Sequence, residues 1–579
     1  MNAKDLFVLT EEEETLSELA LASLEPIRKI ADDTVTLLHF SKEWVDKAWE
    51  TFCNFTGLGI PEEPYKGIGG SSRGMVIFNE KLSSIDAALS LVLGATVSLV
   101  EIPILVWGTD DQKSYWLPLL ASGKLKGCYI QTEPDKGSDV AGIKGKAAKV
   151  KYGDCEEWWI KKDACFITNG DIANMGLVLV RTASDPARPH WGLTMFIVDL
   201  NRAKKEGTYF FDRNEDKAGL HLSSTSAFKL ERCVADSILG EENHGWEVAM
   251  STLAGSRATA IPSQAIGVMC GARDKTKKYM GEREVFGILC EFVPIMRMGL
   301  RRIDAAIQAS RLLTWRAAVM RDELGARDQR PWESEASQAK LFASEAAEWA
   351  TSDAMQLMGG KGYLMKDGVG KFWHDARIIK IYEGTSHIQE IVIMREFLKR
   401  LGRKRLFWLA RNRYNKISWL TRFIAADRYA ISWPVSSPGW PTEEAEFQAD
   451  AHRAAYFHCS ELKKAYEKLI CLRNVFLQEL GRILEEFPFD PKKDKTFPSP
   501  YFGFAYAFSA LEGAKLALWE LAFLANHKDT APASEEVARA ILVLGLAEES
   551  VKLAQSYREL LSSFPSLKTE IEGKGKLRA

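Results

Sequence analysis

Between about residues 126 and 237 the spacing of apolar residues changes period, and that change restricts the chain to few architectures. Stretches such as "EWWIKKDACFITNG", "GLVLVRTA" and "GLTMFIVDL" are short and are punctuated by Gly, Asn, Asp and Pro. They read as strands of an antiparallel barrel or sandwich. On either side the pattern is helical. "SSIDAALSLVLGATVSLVEIPILVWG" is apolar nearly all round, as a buried or ligand-facing helix is, and "ASQAKLFASEAAEWATSDAMQLMGG" stops at Gly359-Gly360. The expectation is a mainly α chain with a central β-domain: helices over 1–125, the β-domain over 126–237, a helical bundle over 238–400 and a helical extension over 401–579.

Composition excludes some functions. The net charge is −2, so no global basic field favours nucleic acid. Nine cysteines without a C-x-x-C pair argue for reduced thiols and a cytosol-like compartment, and no Cys/His cluster has metal-ligand spacing. The N-terminus is acidic and lacks the basic and apolar regions of a leader. The run from Ala87 to Val106 is interrupted by Gly94, Glu101 and Pro103, so no membrane span is expected.

Several stretches have both a sharp and an ordinary reading. In "YIQTEPDKGSDVAG", Thr132, Ser138 and the backbone around Gly137 suit a phosphate or a ring edge, or simply a polar turn. In "FITNG", Phe166 suits the covering of an aromatic plane and Thr168 a hydrogen bond, or the pair ends a strand before an Asn-Gly turn. "MGGKGY" is a helix stop or a backbone approach to a pyrophosphate, although no strand precedes it as a dinucleotide fold requires. In "IYEGTSHIQE", Ser386 and Gln389 have capping-box spacing. Glu383 just before that helix is either a solvated carboxylate or a desolvated base with a raised pKa.

Taken in order, "TEPDKGSD", "FITNG", "GEREVFG", "MGGKGY" and "HDARIIKIYEGTSHIQEIVIMRE" resemble the acyl-CoA dehydrogenase family of flavoproteins over roughly residues 10–400. The extension places the chain near the long members, including the very-long-chain type. The resemblance implies a three-domain fold with FAD between the β-domain and the bundle. It implies Glu383 as the base that removes the α-proton of an acyl-CoA while a hydride leaves the β-carbon. It implies FAD contacts from Tyr129, Gln131, Thr132, Gly137, Ser138, Phe166, Thr168, Arg283, Gln356, Gly359, Gly360, Thr385 and His387. It implies substrate contacts from Ser138, Arg257 and Gly384. No metal is implied.

The sequence departs from the family at some positions. Phe166 stands where Trp is usual, Val293 replaces a usual Gln, His374 replaces an Arg, and His387 replaces a Gln or an acid. Ser256 occupies the place where some members carry a relocated base. Leu91, Gly94 and Ala95 present no bulky polar stopper on the helix that floors the acyl pocket in the family, which points to medium to long chains.

The expected partners are acyl-CoA, an electron-transfer flavoprotein and a second copy, as a homodimer or a dimer of dimers. Residues 399–428 carry ten Lys or Arg against Asp427, with Trp408, Trp419 and Phe423 interleaved. That suits a peripheral contact with the inner face of a membrane, a linker with solvated charges, or, less well, nucleic acid. The competing activities are an acyl-CoA oxidase-like or desulfinase-like relative. A different class altogether is a non-catalytic membrane or assembly partner with weakened flavin binding.

Overall fold

The computed structural model describes residues 6–152, 155–411, 460–486, 502–527 and 534–563. The first layer is helical: α1 (Glu11–Ser23), α2 (Glu25–Thr34), α3 (Lys42–Phe52), α4 (Ser72–Ile85), α5 (Ala87–Thr96), α6 (Ile102–Trp107) and α7 (Asp110–Ala121). Local chemistry sets their starts. The Asp86 carboxylate accepts from the Ala88 and Leu89 amides to cap α5, and Thr109 with Gln112 forms a capping box on α7.

The Ala87–Trp107 run does not break where Gly94, Glu101 and Pro103 interrupt its pattern. It continues through a π turn over Val97–Glu101, which absorbs the hydrogen bond that Pro103 cannot make. By length and composition alone this run could cross a membrane, but most of it is buried inside the fold.

The central region is an eight-stranded sheet. Its strands are β1 (Gly127–Ile130), β2 (Lys146–Tyr152), β3 (Cys155–Thr168), β4 (Met175–Arg181), β5 (Leu193–Asp199), β6 (Tyr209–Asn214), β7 (Thr225–Val234) and β8 (Ser237–Leu239), with a short helix α8 (Leu200–Lys205) after β5. The order is β6-β7-β3-β2-β4-β5-β8, and β1 pairs with β4. Neighbours are antiparallel except at β1–β4 and at the single β2–β4 pairing. Ile160, Val178, Val180, Phe196, Phe228 and Leu230 form a core of the sheet separate from the helical core. A bulge between Ala164 and Ile167 disturbs the end of β3.

The bundle follows: α9 (Gly245–Ala258), α10 (Ala260–Glu282), α11 (Pro294–Leu324), α12 (Glu333–Met358), α13 (Val369–Ile379) and α14 (Ser386–Arg411). A hairpin of β9 (Glu284–Val285) and β10 (Ile288–Leu289) separates α10 from α11. Its two turn residues, Phe286 and Gly287, both have positive φ, the twist that two-residue hairpins require.

The extension contributes α15 (Ser460–Glu486), α16 (Phe502–His527) and α17 (Ser534–Ser563), which pack on α11, α12 and α14. Ser534 followed by Glu535 and Glu536 reads as a helix start in the sequence, and α17 begins there. Thr442 with Glu443 and Glu444, and Ser499-Pro500, also read as helix starts in the sequence; these positions, and the part of the basic segment beyond Arg411, lie outside the described residues.

Candidate active site

The loop between α13 and α14 carries Glu383 and is tied down on three sides. Lys380 at its beginning bridges Glu345 (2.7 Å) and Glu348 (2.5 Å) of α12. Ser386 at its end donates to Glu345 Oε1 (2.7 Å). In the middle, Gln389 Nε2 donates to the Gly384 carbonyl (2.8 Å), and Arg257 Nη1 of α9 donates to Gln389 Oε1 (3.1 Å). The Tyr382 hydroxyl donates to Gln264 of α10, and Gln264 Nε2 in turn reaches the Ala87 carbonyl of α5 (2.7 Å). The loop is thereby joined to the bundle and to the first helical layer.

The expected capping box is not formed. Glu345 takes the Ser386 hydroxyl, Gln389 turns back to Gly384, and the cap of α14 falls to Thr385, whose Oγ1 accepts from the Ile388 amide (3.4 Å). A tertiary partner outcompeted the local one.

These ties hold an unfavourable backbone. Glu383 has φ +53° and Gly384 φ +94°. A side chain other than Gly, Asn or Asp in the left-handed region is disfavoured and persists where its surroundings over-determine it. Glu383 as a whole is half-buried, but its Oε2 is sealed from solvent and has no hydrogen-bond partner. Burial pushes its carboxyl up to about 7, against the opposing influence of Ser256, Arg257 and Lys340. Ser256 adjoins the carboxylate, yet its Oγ completes no hydrogen bond.

The other expected site residues fall into groups. Tyr129, on β1, is buried and donates to Gln131 Oε1 (3.0 Å). Burial, and then the Glu383 charge, drive its phenol upward, so β1 adjoins the base. Arg257 is buried behind the loop, where its Nε also reaches the Leu253 carbonyl (3.0 Å). Thr385 and Gly384 flank Glu383 on the loop itself.

Thr132 is half-buried, and Gly137 and Ser138 are exposed in the turn after β1. Phe166, at the bulge ending β3, has φ +56° and is 62% exposed, with half-buried Thr168 beyond it. Arg283, Gln356, Gly359, Gly360 and His387 are exposed, the first four at the ends of α10 and α12.

Lys340 did not stand out in the sequence. It is the one charged residue within "ASQAKLFAS", and that isolation was the available signal.

Three family models match consecutive parts of the chain: the acyl-CoA dehydrogenase N-terminal domain over residues 10–124, the middle domain over 128–233 and the C-terminal domain over 243–398. The chain belongs to the acyl-CoA dehydrogenase family. It is an oxidoreductase of that family, whose cofactor is FAD.

This acyl-CoA dehydrogenase is 35% identical over 344 residues to the mitochondrial short-chain specific acyl-CoA dehydrogenase of Bos taurus, a match covering 59% of this chain and 79% of that one. It is 31% identical, with a TM-score of 0.62, to a chain solved in work on the electron transferring flavoprotein of Acidaminococcus fermentans, covering 68% of this chain and 99% of that one. An acyl-CoA dehydrogenase of Bacillus anthracis complexed with FAD shares the fold over 99% of this chain and 94% of its own, with a TM-score of 0.74 at 18% identity. That likeness takes in the extension.

The residues present fit FAD. A Cβ placed on Gly137, Gly359 or Gly360 would meet nothing within 4 Å, so the backbone is open to a ligand at all three. The exposed Phe166 ring and the Thr132, Ser138 and Thr168 hydroxyls supply an aromatic surface and neutral donors, which suit a flavin and its ribityl and phosphate groups.

Proposed function

We propose that this enzyme removes the α-proton and the β-hydride of acyl-CoA thioesters, giving trans-2-enoyl-CoA, with Glu383 as the base. The observation that carries the reading is the Glu383 carboxylate itself. It is desolvated, raised to about 7, held on a strained turn and supplied with one free oxygen. A base poised near the working pH combines enough ionised form with enough driving force to take a weakly acidic proton.

The chain's residues divide the work. Arg257 and Gln389 fix the loop, so that Glu383 meets the α-carbon in one orientation. The backbone N–H of Glu383 is the donor assigned to the thioester oxygen, where charge develops. Tyr129, Gln131, Thr132, Gly137, Ser138, Phe166 and Thr168 hold FAD from the β-domain. Arg283, Gln356, Gly359 and Gly360, exposed within one chain, reach the FAD of a second copy. When bound, FAD supplies the acceptor for the hydride.

An exposed apolar face supports the homodimer. Phe286, Ile288, Phe292, Ile295 and Met298 stand on the hairpin and the adjoining start of α11 beside Arg283, and Phe286 is wholly exposed. A contiguous apolar surface of this kind marks an association site. An electron-transfer flavoprotein is the proposed acceptor, a reading supported by the likeness to the Acidaminococcus fermentans chain.

For acyl length we favour chains longer than butyryl, because a Cβ on Gly94 of α5 would meet nothing within 4 Å. The Bos taurus relative is short-chain specific and supports the opposite preference.

One experiment tests these readings together. The visible spectrum of the purified protein is followed while acyl-CoAs from butyryl to palmitoyl are added without oxygen, for wild type and Glu383→Gln. Bleaching of a flavin band by the longer thioesters, abolished in the variant, is expected. Bleaching by butyryl-CoA alone overturns the length assignment. Undiminished bleaching in Glu383→Gln overturns the base. Peroxide on readmitting air, at a rate matching turnover, would make oxygen the acceptor.

A further inference from the structure

Lys340 is buried to 0% exposure in the middle of α12, and its Nζ makes no hydrogen bond among the described residues. This is an unusual state for lysine. The flexible stem ordinarily carries the ammonium to water, and an ammonium kept from water ordinarily finds a carboxylate. A sequestered ammonium with neither outlet is unfavourable and calls for a reason.

The groups around it narrow that reason. Arg257 of α9 and Lys380 after α13 act on it as like charges, and Glu383 of the loop and Glu345 of its own helix act as opposite charges. Glu390 of α14 and Tyr506 of α16 stand in the next ring and couple to Glu345.

The two carboxylates are not equally available. Glu345 is already committed to Lys380 (2.7 Å) and to the Ser386 hydroxyl (2.7 Å). Glu383 keeps a buried oxygen without a partner. Arg257 is likewise committed, to Gln389 and to the Leu253 carbonyl. Among the described residues Lys340 Nζ and Glu383 Oε2 are therefore left without a partner, as is Glu390 Oε2 in the next ring, and of the two carboxylates it is Glu383 that acts directly on Lys340 as an opposite charge.

We propose that Lys340 is a positioning residue for the base, its sequestered ammonium supplying the counter-charge that keeps Glu383 ionised where water cannot. The proposal rests on the reading of Glu383 as the base. It explains why a lone lysine is retained inside an apolar helix. Arg257 also opposes the burial of the carboxylate, and Lys340 adds a second, otherwise unpartnered cation to it. Burial pushes the Lys340 ammonium down and the Glu383 carboxyl up, and each charge opposes the shift of the other. A cation favours the neighbouring carboxylate form. Loss of that cation therefore raises the pKa of Glu383 and makes the base available only at higher pH.

The test uses the FAD-loaded enzyme in anaerobic stopped flow, with the best acyl-CoA found in the panel, from about pH 5.5 to about pH 9. Wild type, Lys340→Met, Lys340→Arg and Glu383→Gln are compared. In Lys340→Met the acidic limb of the bleaching rate is expected to move up by about one pH unit. Thioester affinity is expected to stay within ~3-fold, since Lys340 acts through its charge on the base and not on the substrate. Lys340→Arg is expected to return the limb toward wild type.

A second readout needs no turnover. The infrared C=O band of protonated Glu383, identified by its loss in Glu383→Gln, is expected to persist to higher pH in Lys340→Met. A rate lowered by one factor at every pH, with limb and infrared band unmoved, makes Lys340 merely structural and overturns the proposal. Should Lys340→Met not fold, Lys340→Gln, which keeps a donor without a charge, carries the same expectation and the same refutation. Glu383→Gln separates the two ideas. If it still bleaches, the base assignment fails and takes this proposal with it. If it does not bleach and the limb stays in place in Lys340→Met, only the role of Lys340 fails.

Discussion

Glu512→Ala should loosen the extension from the bundle by about 3 kcal/mol. Glu512 sits on α16 at 1% exposure and accepts from Arg316 Nη1 of α11 at 2.7 Å, with Lys515 Nζ at 3.3 Å. Arg473 of α15 adds a third cation to its surroundings. Burial alone would raise this carboxyl, but the cations outweigh it and bring the carboxyl from an ordinary 4.5 down to about 2. That shift is worth about 3 kcal/mol at neutral pH, at ~1.4 kcal/mol per pH unit.

The sign follows from the depressed value. The contribution is complete above about pH 4.5 and is lost as pH falls toward 2. Independently, breaking a buried pair by removing one partner costs roughly 3–5 kcal/mol, because the remaining charge stays buried. After truncation Arg316 keeps its bond to Gln338 Oε1 (3.1 Å), which satisfies a donor without neutralising it. Hydrogen exchange of the α16 amides reads the effect as roughly 100-fold faster exchange in Glu512→Ala. Arg316→Met with Glu512→Met should recover part of the loss, since Arg316 leaves with its partner while Lys515 and Arg473 remain. A change of less than ~0.5 kcal/mol in the single variant, or equal damage in single and double variants, would refute the staple.

Three further outcomes are expected. The wild-type bleaching rate should fall about tenfold per pH unit below pH 7 and level off above it, since only ionised Glu383 accepts the proton; a flat profile down to about pH 5.5 removes the base assignment. Gly384→Ala should cost about 1–3 kcal/mol and slow the half-reaction with FAD content unchanged, because its Cβ would meet Gln389 Nε2 at 2.6 Å at φ +94°; thermal melts and stopped flow check both. Gly94→Leu should lower kcat/KM for the longest accepted thioester at least ~10-fold while sparing butyryl-CoA, as a filled floor excludes methylenes; an unchanged chain-length profile would place the acyl floor elsewhere.

Features decided within one element were legible in the chain itself. The Gly359-Gly360 helix stop, the strands before and after Asn169-Gly170, and the start of a helix just beyond Glu383 all depend on neighbours in sequence. Features decided between elements were not. Ser386 carried every local sign of a cap, and Glu345, 41 residues earlier, took its hydroxyl. Glu101, Gly94 and Pro103 read as breaks, but packing on both sides carried the helix through a π turn. Nothing near Lys340 in the sequence shows that it is buried and shares its surroundings with Arg257 of α9, Lys380 after α13 and Glu383 of the loop. The hold of the extension on the bundle through Glu512 and Arg316 joins positions almost two hundred residues apart, and no periodicity signals it.

The distribution of satisfied and unsatisfied groups is itself an argument about function. Around the catalytic loop most of the outer polar groups named have partners: Lys380 with Glu345 and Glu348, Arg257 with Gln389, Tyr382 with Gln264, Glu390 Oε2 being the exception. At the centre, Glu383 Oε2, Ser256 Oγ and Lys340 Nζ are all buried and none completes a hydrogen bond. Native proteins pair the great majority of such groups, because each orphan costs about 1–3 kcal/mol. Three that share one electrostatic neighbourhood, beside a glutamate held at φ +53°, make a local deficit that stability alone would not maintain. The outer ties explain how the fold tolerates the deficit. What the deficit provides is a carboxylate with one buried oxygen that no described protein donor occupies, and so one still able to take a proton from carbon.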